Sequence, residues 1–230
     1  QEAYQKIAHY RGVELFNNQN YASAIVHFDK SDKYPILGDL KIKNTFWKAE
    51  ANYRLDAYSD AIAHYKKVIY EPNAIAYSFY NEAHYNLGYS YFKLKEYDNA
   101  QSWFRKYIQN DKTGKSKTKN DALNRIGDCF FINKEYKSAT EFYDKAAMMG
   151  IYQLEYSLYQ SAVANGVMGN YDDKINLLNT LINQKQASHL LDDAIYELGK
   201  TQQEKNKNDL ALANFNLLIN EHPNSTYISK

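Results

Sequence analysis

The sequence predicts an all-α fold in which about six helical hairpins stack into an α-solenoid. Six segments of the chain align with one another at separations of 35 to 39 residues. Each segment has a small residue at one fixed position, and nearly all have a large ring at another. Only 9 Gly and 3 Pro occur in 230 residues, which favours a folded helical chain over a turn-rich β fold. Together these observations indicate a repeat of one helical unit.

The first helix of each hairpin is expected around the small residue of its segment. These residues are Gly12, Ala49, Gly88, Gly127, Ala162 and Gly199. The second helix is expected to begin, after a short polar turn, at Tyr21, Tyr58, Tyr97, Tyr136, Tyr171 and Asn208. Three residues later stand Ala24, Ala61, Ala100, Ala139, Lys174 and Ala211. Four residues beyond those stand Phe28, Tyr65, Phe104, Tyr143, Leu178 and Phe215. Small residues let paired helices approach closely, and we expect the rings to fill the gap to the next hairpin.

The segments predict a single array over residues 1–230. Its repeats are expected at 5–38, 42–75, 81–114, 120–153, 155–188 and 192–225. The fifth repeat departs most from the pattern, because Lys174 replaces alanine and Gly166 lies inside the first helix, so we expect a local kink or altered curvature there. The chain begins and ends within helical patterns, and Ser225 would cap a further helix. We therefore expect it to be part of a longer protein.

Two stretches carry a family resemblance. Tyr85-Asn86-Leu87-Gly88-Tyr89-Ser90-Tyr91 with Ala100 and Phe104, and Gly12 with Tyr21, Ala24 and Phe28, resemble tetratricopeptide repeats. The resemblance extends over nearly the whole chain. It implies a right-handed α-solenoid that binds a protein or peptide along its concave side.

The C-terminal residues 215–227 are similar to the repeat boundaries of bacterial envelope proteins. The similarity is to the outer-membrane-assembly lipoprotein with such repeats and to the periplasmic Tol-Pal accessory protein. It implies a periplasmic or outer-membrane-associated location, with the cytoplasm as the alternative.

Composition and motifs argue against several kinds of chemistry. The 28 basic and 27 acidic residues leave a net charge of +1, so we expect no nucleic-acid partner. No apolar run is long enough to span a bilayer. The single Cys129 permits no internal disulfide, and we expect it to be buried and inert. The histidines lack metal-ligand spacing, and no phosphate-binding loop is present. We therefore expect no catalytic residue, no metal site and no cofactor.

The concave groove is where the sequence places function. In this repeat the first helices line the groove, and their groove positions are rich in rings. The candidate partner-binding residues are Phe46, Tyr53, Tyr85, Tyr89, Phe92, Phe131, Tyr156, Tyr159 and Tyr196. His9 is also expected to point into the groove. The carboxylate clamp of chaperone-binding members is absent, because its Lys and Asn positions hold His9 and Val13 in the first unit and Tyr85 and Tyr89 in the third.

The sequence thus favours a non-enzymatic scaffold that binds an extended segment or helix of a partner protein, in a bacterial cell-envelope complex. Two alternatives remain open. The array could serve a larger enzyme or sensor whose catalytic module lies elsewhere, or it could bind glycan or peptidoglycan, since aromatic grooves also stack on sugars.

Overall fold

A computed structural model of the chain describes residues 1–112, 114–184 and 188–229. Within these residues twelve α-helices follow one another and pack pairwise into six hairpins. The first three hairpins are formed by α1 Glu2–Asn17, α2 Tyr21–Asp32, α3 Gly38–Arg54, α4 Tyr58–Ile69, α5 Tyr80–Lys93 and α6 Tyr97–Asn110. The other three are formed by α7 Lys117–Ile132, α8 Tyr136–Met149, α9 Leu154–Val167, α10 Tyr171–Asn183, α11 Leu191–Glu204 and α12 Asn208–Glu221.

The chain divides into two compact units. Unit 1, Gln1–Lys112, contains α1 to α6 and a short 3₁₀ helix at Ala74–Ala76. Unit 2, Thr113–Lys230, contains α7 to α12. The predicted repeats 81–114 and 155–188 include residues 113 and 185–187, which lie outside the described residues. The expectation of one array over 1–230 stays a prediction.

The turn inside each hairpin has one conformation throughout. Every second helix begins at the predicted residue, from Tyr21 in α2 to Asn208 in α12. The turn before it contains one residue with φ between 57° and 79°: Gln19, Asp56, Lys95, Lys134, Gly169 and Asn206. In the first hairpin the next N–H, that of Asn20, donates to the carbonyl of Leu15 at 2.9 Å, and the other five hairpins repeat this bond. This left-handed residue closes the first helix and reverses the chain.

The close approach predicted at the small residues is confirmed. A Cβ added to Gly12, Gly88, Gly127 or Gly199 would lie 2.5 to 2.8 Å from a ring on the second helix of the same hairpin. The rings are those of Phe28, Phe104, Tyr143 and Phe215. Each ring therefore fills space inside its own hairpin, which corrects our expectation that it reaches toward the next one.

The fifth hairpin accommodates its lysine without breaking its first helix. α9 is continuous through Gly166, where we had expected a kink. A Cβ added to Gly166 would lie 2.9 Å from Cδ of Lys174, so the glycine makes room for the lysine stem. Lys174 is itself buried, and its Nζ pairs with Oε2 of Glu197 at 2.7 Å.

Polar side chains near the start of some first helices accept hydrogen bonds from the backbone that follows the second helix. Oε1 of Gln5 accepts from the N–H groups of Ile36 and Leu37 at 3.2 and 2.9 Å. In unit 2, Oδ1 of Asn120 accepts from the N–H of Ile151 at 3.3 Å. Buried backbone donors need such partners.

Candidate functional site

The first helices of each unit share one face. In unit 1 these helices are α1, α3 and α5, linked by the hydrogen bonds His9–Asn44 and Asn86–Glu50. In unit 2 they are α7, α9 and α11, where Tyr156 bonds Asp128. We call these surfaces the first-helix face of unit 1 and the first-helix face of unit 2. All nine candidate binding residues lie on these helices, eight of them half-buried and Phe46 buried.

Phe46 is a buried ring within an aromatic cluster, so it is not exposed for contact with a partner. Only 6% of Phe46 is exposed, and its ring stacks on Phe79 at a centroid distance of 4.6 Å. Trp47 lies beside it and contacts Phe16 of α1 at 4.9 Å. Sequence reasoning missed Phe79 and Trp47, because Phe79 precedes α5 and Trp47 lies outside the assumed groove positions. Both are half-buried and present ring surface that Phe46 does not.

The structure brings Tyr85, Tyr89 and Phe92 together as a row of rings on α5. Tyr85 meets Tyr89 edge-on at 5.0 Å, and Tyr89 meets Phe92 at 6.5 Å. Tyr89 also packs on Phe104 at 5.2 Å, which joins the row to the core of the hairpin. Residues three or four apart on a helix are neighbours on its surface, so the spacing alone forms the row.

Tyr53 and Phe131 lie in their hairpins as Phe92 does, which contacts Tyr97 at 5.5 Å. Each lies near the end of its first helix and contacts the tyrosine that begins the second helix: Tyr53 contacts Tyr58 at 5.5 Å, and Phe131 contacts Tyr136 at 5.2 Å. These rings lie beside the turn of the hairpin.

Glu50 places a carboxylate in the interior of unit 1. Its Oε1 accepts from the hydroxyl of Tyr65 at 2.5 Å and from the side-chain amide of Asn86 at 2.6 Å. Burial raises the pKa of Glu50, and these two hydrogen bonds oppose the rise. A carboxylate thus links three helices, α3, α4 and α5.

Asp128 holds the corresponding place in unit 2. Its Oδ1 accepts from the hydroxyls of Tyr143 and Tyr156 at 2.8 and 2.7 Å, and its Oδ2 pairs with Arg125 at 2.6 Å. Burial raises the pKa of Asp128, against the charge of Arg125. The guanidinium of Arg125 also lies over the ring of Tyr156, 5.1 Å from its centroid. Tyr156 is therefore fixed in orientation by a charged network.

Tyr159 and Tyr196 lie near carboxylates of α11. Burial raises the pKa of Tyr159 to about 12, with a further contribution from the charge of Asp193. Tyr196 stacks face to face on Tyr227 at 4.1 Å, and the hydroxyl of Tyr227 donates to Asp193. The C-terminal segment thus covers one face of Tyr196, an interaction that sequence reasoning missed.

Ser225 helps to hold that segment. Its hydroxyl donates to Oδ2 of Asp192 at 2.8 Å, and its Oγ accepts from the N–H of Tyr227 at 3.3 Å. Within the described residues up to 229, Ser225 begins a turn, and the further helix that it is expected to cap stays a prediction. Tyr196, Lys200, Phe215, Leu218 and Ile228 line a cavity of about 390 Å³ at this end of unit 2.

Two of the histidines and the single cysteine lie inside the fold. His9 is buried and its Nδ1 lies 2.7 Å from Oδ1 of Asn44, so it does not project into a groove as expected. His84 is buried too, and Cys129 is buried as the sequence predicts. In the described part of the chain, no group of three His, Cys, Asp or Glu side chains is placed to hold a metal ion. None of the helices described above has the length and apolar character needed to cross a membrane.

Six hairpins of one pattern, four of them with a glycine packed against a ring, define a helical repeat protein, and the particular repeat follows from the sequence. Residues 81–113 and residues 193–225 each match a sequence model of the tetratricopeptide repeat. These two stretches are therefore tetratricopeptide repeats, as the resemblance of the motifs implies. Among curated proteins no sequence matches the chain.

Solved structures similar to this chain are also tetratricopeptide-repeat proteins. One from Parabacteroides merdae is 16% identical, with a TM-score of 0.67, over 94% of this chain and 79% of that one. YrrB, described as a TPR protein with an unusual peptide-binding site, is 18% identical, with a TM-score of 0.61, over 90% and 94%. PilF of Pseudomonas aeruginosa is 14% identical, with a TM-score of 0.60, over 97% and 94%. The predicted all-α fold class is thereby confirmed.

Proposed function

We propose that this protein is a non-enzymatic scaffold that binds an extended segment or a helix of a partner protein on its first-helix faces. The observation that carries the proposal is the row of Tyr85, Tyr89 and Phe92, three half-buried rings along one helix. Tyrosine offers a large, fairly rigid apolar area together with a hydroxyl, which suits protein recognition. The row is anchored on Phe104 and so is ordered before a partner arrives.

The relatives support this reading. YrrB has the same fold and a peptide-binding site according to its description. Stacked hairpins form an extended surface that can follow a partner segment over several repeats. We also propose that the partner belongs to a bacterial cell-envelope complex, in the periplasm or at the outer membrane, because residues 215–227 resemble repeat boundaries in such proteins.

The test is affinity capture followed by a binding titration. Tagged protein captures partners from envelope and cytosolic fractions of the source cells, and the captured partner is then purified and titrated by calorimetry. We expect a partner from the envelope fraction, and the double substitution Tyr85→Ala, Tyr89→Ala should weaken its binding by at least about tenfold, since each removed ring at a hot spot costs about 1–2 kcal/mol. Circular dichroism verifies that the variant is folded.

Tyr70→Ala is the matched control, because Tyr70 is 69% exposed and lies at the end of α4, a second helix. It should bind as the wild type does. Unchanged affinity of the Tyr85/Tyr89 variant would contradict binding at this row, and a partner found only in the cytosolic fraction would contradict the envelope location.

A further inference from the structure

An aromatic pocket lies on the first-helix face of unit 1, between α3 and the start of α5. Its volume is about 360 Å³. Phe46, Trp47 and Phe79 line it, with Phe46 and Phe79 stacked at an interplanar angle of 24° and Phe46 set edge-on to Trp47 at 70°. The pocket therefore offers ring faces in more than one orientation.

Two carboxylates share this pocket with the rings. Glu50 and Glu82 both line it, from α3 and α5. The two hydrogen bonds that Glu50 accepts end at the same atom, Oε1, and no donor of the described residues reaches its Oε2. Glu82 makes no hydrogen bond or ion pair within that part of the chain. Desolvation raises the pKa of Glu82, and repulsion from Glu50 raises it further, so the two groups are close enough to disfavour each other's charge.

The basic side chains nearby do not neutralise this pair directly. Lys43 lines the pocket one turn before Phe46 and Trp47, where its charge lowers the pKa of His9 after the larger effect of burial. Arg54 is exposed near the end of α3, and its charge acts on Glu50 less than the hydrogen bonds of Tyr65 and Asn86 do. Among the described residues, neither cation comes within 4 Å of a carboxylate oxygen of Glu50 or Glu82. A cation supplied from outside would relieve the repulsion between them.

Aromatic faces next to carboxylates favour a cation that is flat. A guanidinium can stack on a ring while its N–H groups donate to carboxylate oxygens. An ammonium group acts as a point charge and has no flat face to stack. The free Oε2 of Glu50 and the carboxylate of Glu82 provide acceptors for the N–H groups of a guanidinium. We propose that this pocket receives an arginine side chain of the bound partner segment. This inference rests on the proposed function, and it makes the chemistry of the partner specific.

The direct test uses synthetic peptides. The probes are acetylated, amidated heptapeptide mixtures whose central residue is Arg, Lys, citrulline or Leu, with uncharged residues at all other positions. Citrulline keeps the shape of arginine and removes its charge. Binding is followed by calorimetry on the wild type and by the fluorescence of Trp47 in a Trp103→Phe variant, since these are the only 2 tryptophans and Trp103 is buried on α6. We expect the Arg mixture to bind at least tenfold more tightly than the citrulline mixture.

Substitutions locate the interaction in the pocket. Glu82→Gln and Glu50→Gln should each weaken binding of the Arg mixture by about tenfold and leave the Leu mixture unchanged. Glu82→Gln decides the matter if Glu50→Gln disturbs the fold, because Glu82 lies at the exposed rim. Glu71→Gln is the control, since Glu71 is exposed in the same unit and does not line this pocket. It should bind all mixtures as the wild type does.

The outcomes separate this inference from the proposed function. Equal binding of the Arg and citrulline mixtures would overturn the inference while the scaffold function stands. Arg binding that survives both Glu82→Gln and Glu50→Gln would also overturn it, because the charge would be recognised elsewhere. A Lys mixture that binds as tightly as the Arg mixture would overturn the assignment to arginine. Failure of every mixture to bind the wild type would count against both.

Discussion

At the scale of single residues, two hairpins pair a buried carboxylate on the first helix with a tyrosine on the second helix. Glu50 faces Tyr65 and Asp128 faces Tyr143, and each pair joins the two helices of its hairpin. The other four hairpins have a ring or side chain without a hydroxyl at the same repeat position: Phe28, Phe104, Leu178 and Phe215. A buried hydroxyl that lacks an acceptor costs about 1–3 kcal/mol, so the tyrosine is found only where the carboxylate accompanies it.

The contact of small residue and ring yields the first stability prediction. Gly88→Ala would place a Cβ 2.8 Å from Cδ1 of Phe104, which is closer than carbon atoms pack. The buried Phe104 cannot move aside freely. We expect a loss of about 1–3 kcal/mol in the free energy of unfolding from overpacking, despite a gain of up to about 1 kcal/mol in helix propensity. Urea unfolding followed by circular dichroism measures it.

Gly38→Ala is the control, because Gly38 begins α3 and a Cβ there would meet no atom within 4 Å. It should leave stability unchanged or raise it by up to about 1 kcal/mol. A Gly88→Ala variant as stable as Gly38→Ala would show that the hairpin relaxes around the added methyl group.

At this scale the sequence predicted the role of a residue where that role depends on contacts within its own hairpin. Gly88 and its equivalents were predictable because close helix approach demands a small residue at a fixed position. The burial of His9 was not, because it depends on Asn44, which lies 35 residues further along the chain. Phe79 escaped prediction for a similar reason: its stacking partner Phe46 belongs to the preceding hairpin.

At the scale of helices and turns, boundaries were the most predictable feature. All six second helices begin where the repeat pattern placed them. The left-handed residue of each turn could not be recognised, because only Gly169 is a glycine and the other five are Gln, Asp, Lys or Asn. Five hairpins thus accept a conformation that L-residues disfavour by about 1–2 kcal/mol, and the repeated packing on both sides fixes it.

In the fifth hairpin, Lys174 stands in place of alanine, and residues on two other helices accommodate it. Lys174 on α10 fills the space that Gly166 leaves on α9 and pairs with Glu197 on α11. Burial would raise the pKa of Glu197, but the hydrogen bond and charge of Lys174 outweigh it, so this pKa is lowered. The lysine that broke the repeat pattern therefore replaces alanine packing with a half-buried ion pair.

This coupling predicts a non-additive pair of substitutions. Gly166→Ala should cost about 1–3 kcal/mol in the wild type, because the new Cβ would lie 2.9 Å from Cδ of Lys174. With Lys174→Ala already present, the same change should be neutral or stabilise by up to about 1 kcal/mol. The interaction energy from a double-mutant cycle of unfolding free energies should exceed about 1 kcal/mol. Additive effects would contradict the steric link between the two residues.

At the scale of the whole molecule, the net charge of +1 conceals how charges are placed. Counting residues predicts no strong overall charge, but it could not reveal that Glu50 and Glu82 meet in one aromatic pocket. Their positions belong to separate repeats, 32 residues apart in sequence. Only the stacking of α3 with α5 brings them together.

Buried titratable groups of unit 1 make opposite contributions to the pH dependence of stability. Burial raises the pKa of Glu50 above its usual 4.5 and lowers the pKa of His84 below its usual 6.5. Above pH 4.5 the folded protein therefore holds a proton on Glu50 that the unfolded chain has released, so this contribution to stability falls as pH rises through the raised pKa. Below pH 6.5 the unfolded chain protonates its histidine first, so the contribution of His84 falls as pH falls toward the lowered pKa.

Two substitutions should separate these contributions, each compared with the wild type by urea unfolding between pH 4.5 and 7.5. Glu50→Gln keeps an acceptor for Tyr65 and relieves Glu82, so its stability relative to wild type should increase as pH rises. His84→Phe keeps the ring contacts with Tyr80 and Trp103, and its relative stability should increase as pH falls below 6.5. Each slope can reach about 1.4 kcal/mol per pH unit while the group titrates. Difference curves whose slopes have the same sign would contradict the burial of one group or the other, because shared groups that do not interact with Glu50 or His84 cancel in each comparison, and the relief of Glu82 adds to the Glu50→Gln slope in the same direction.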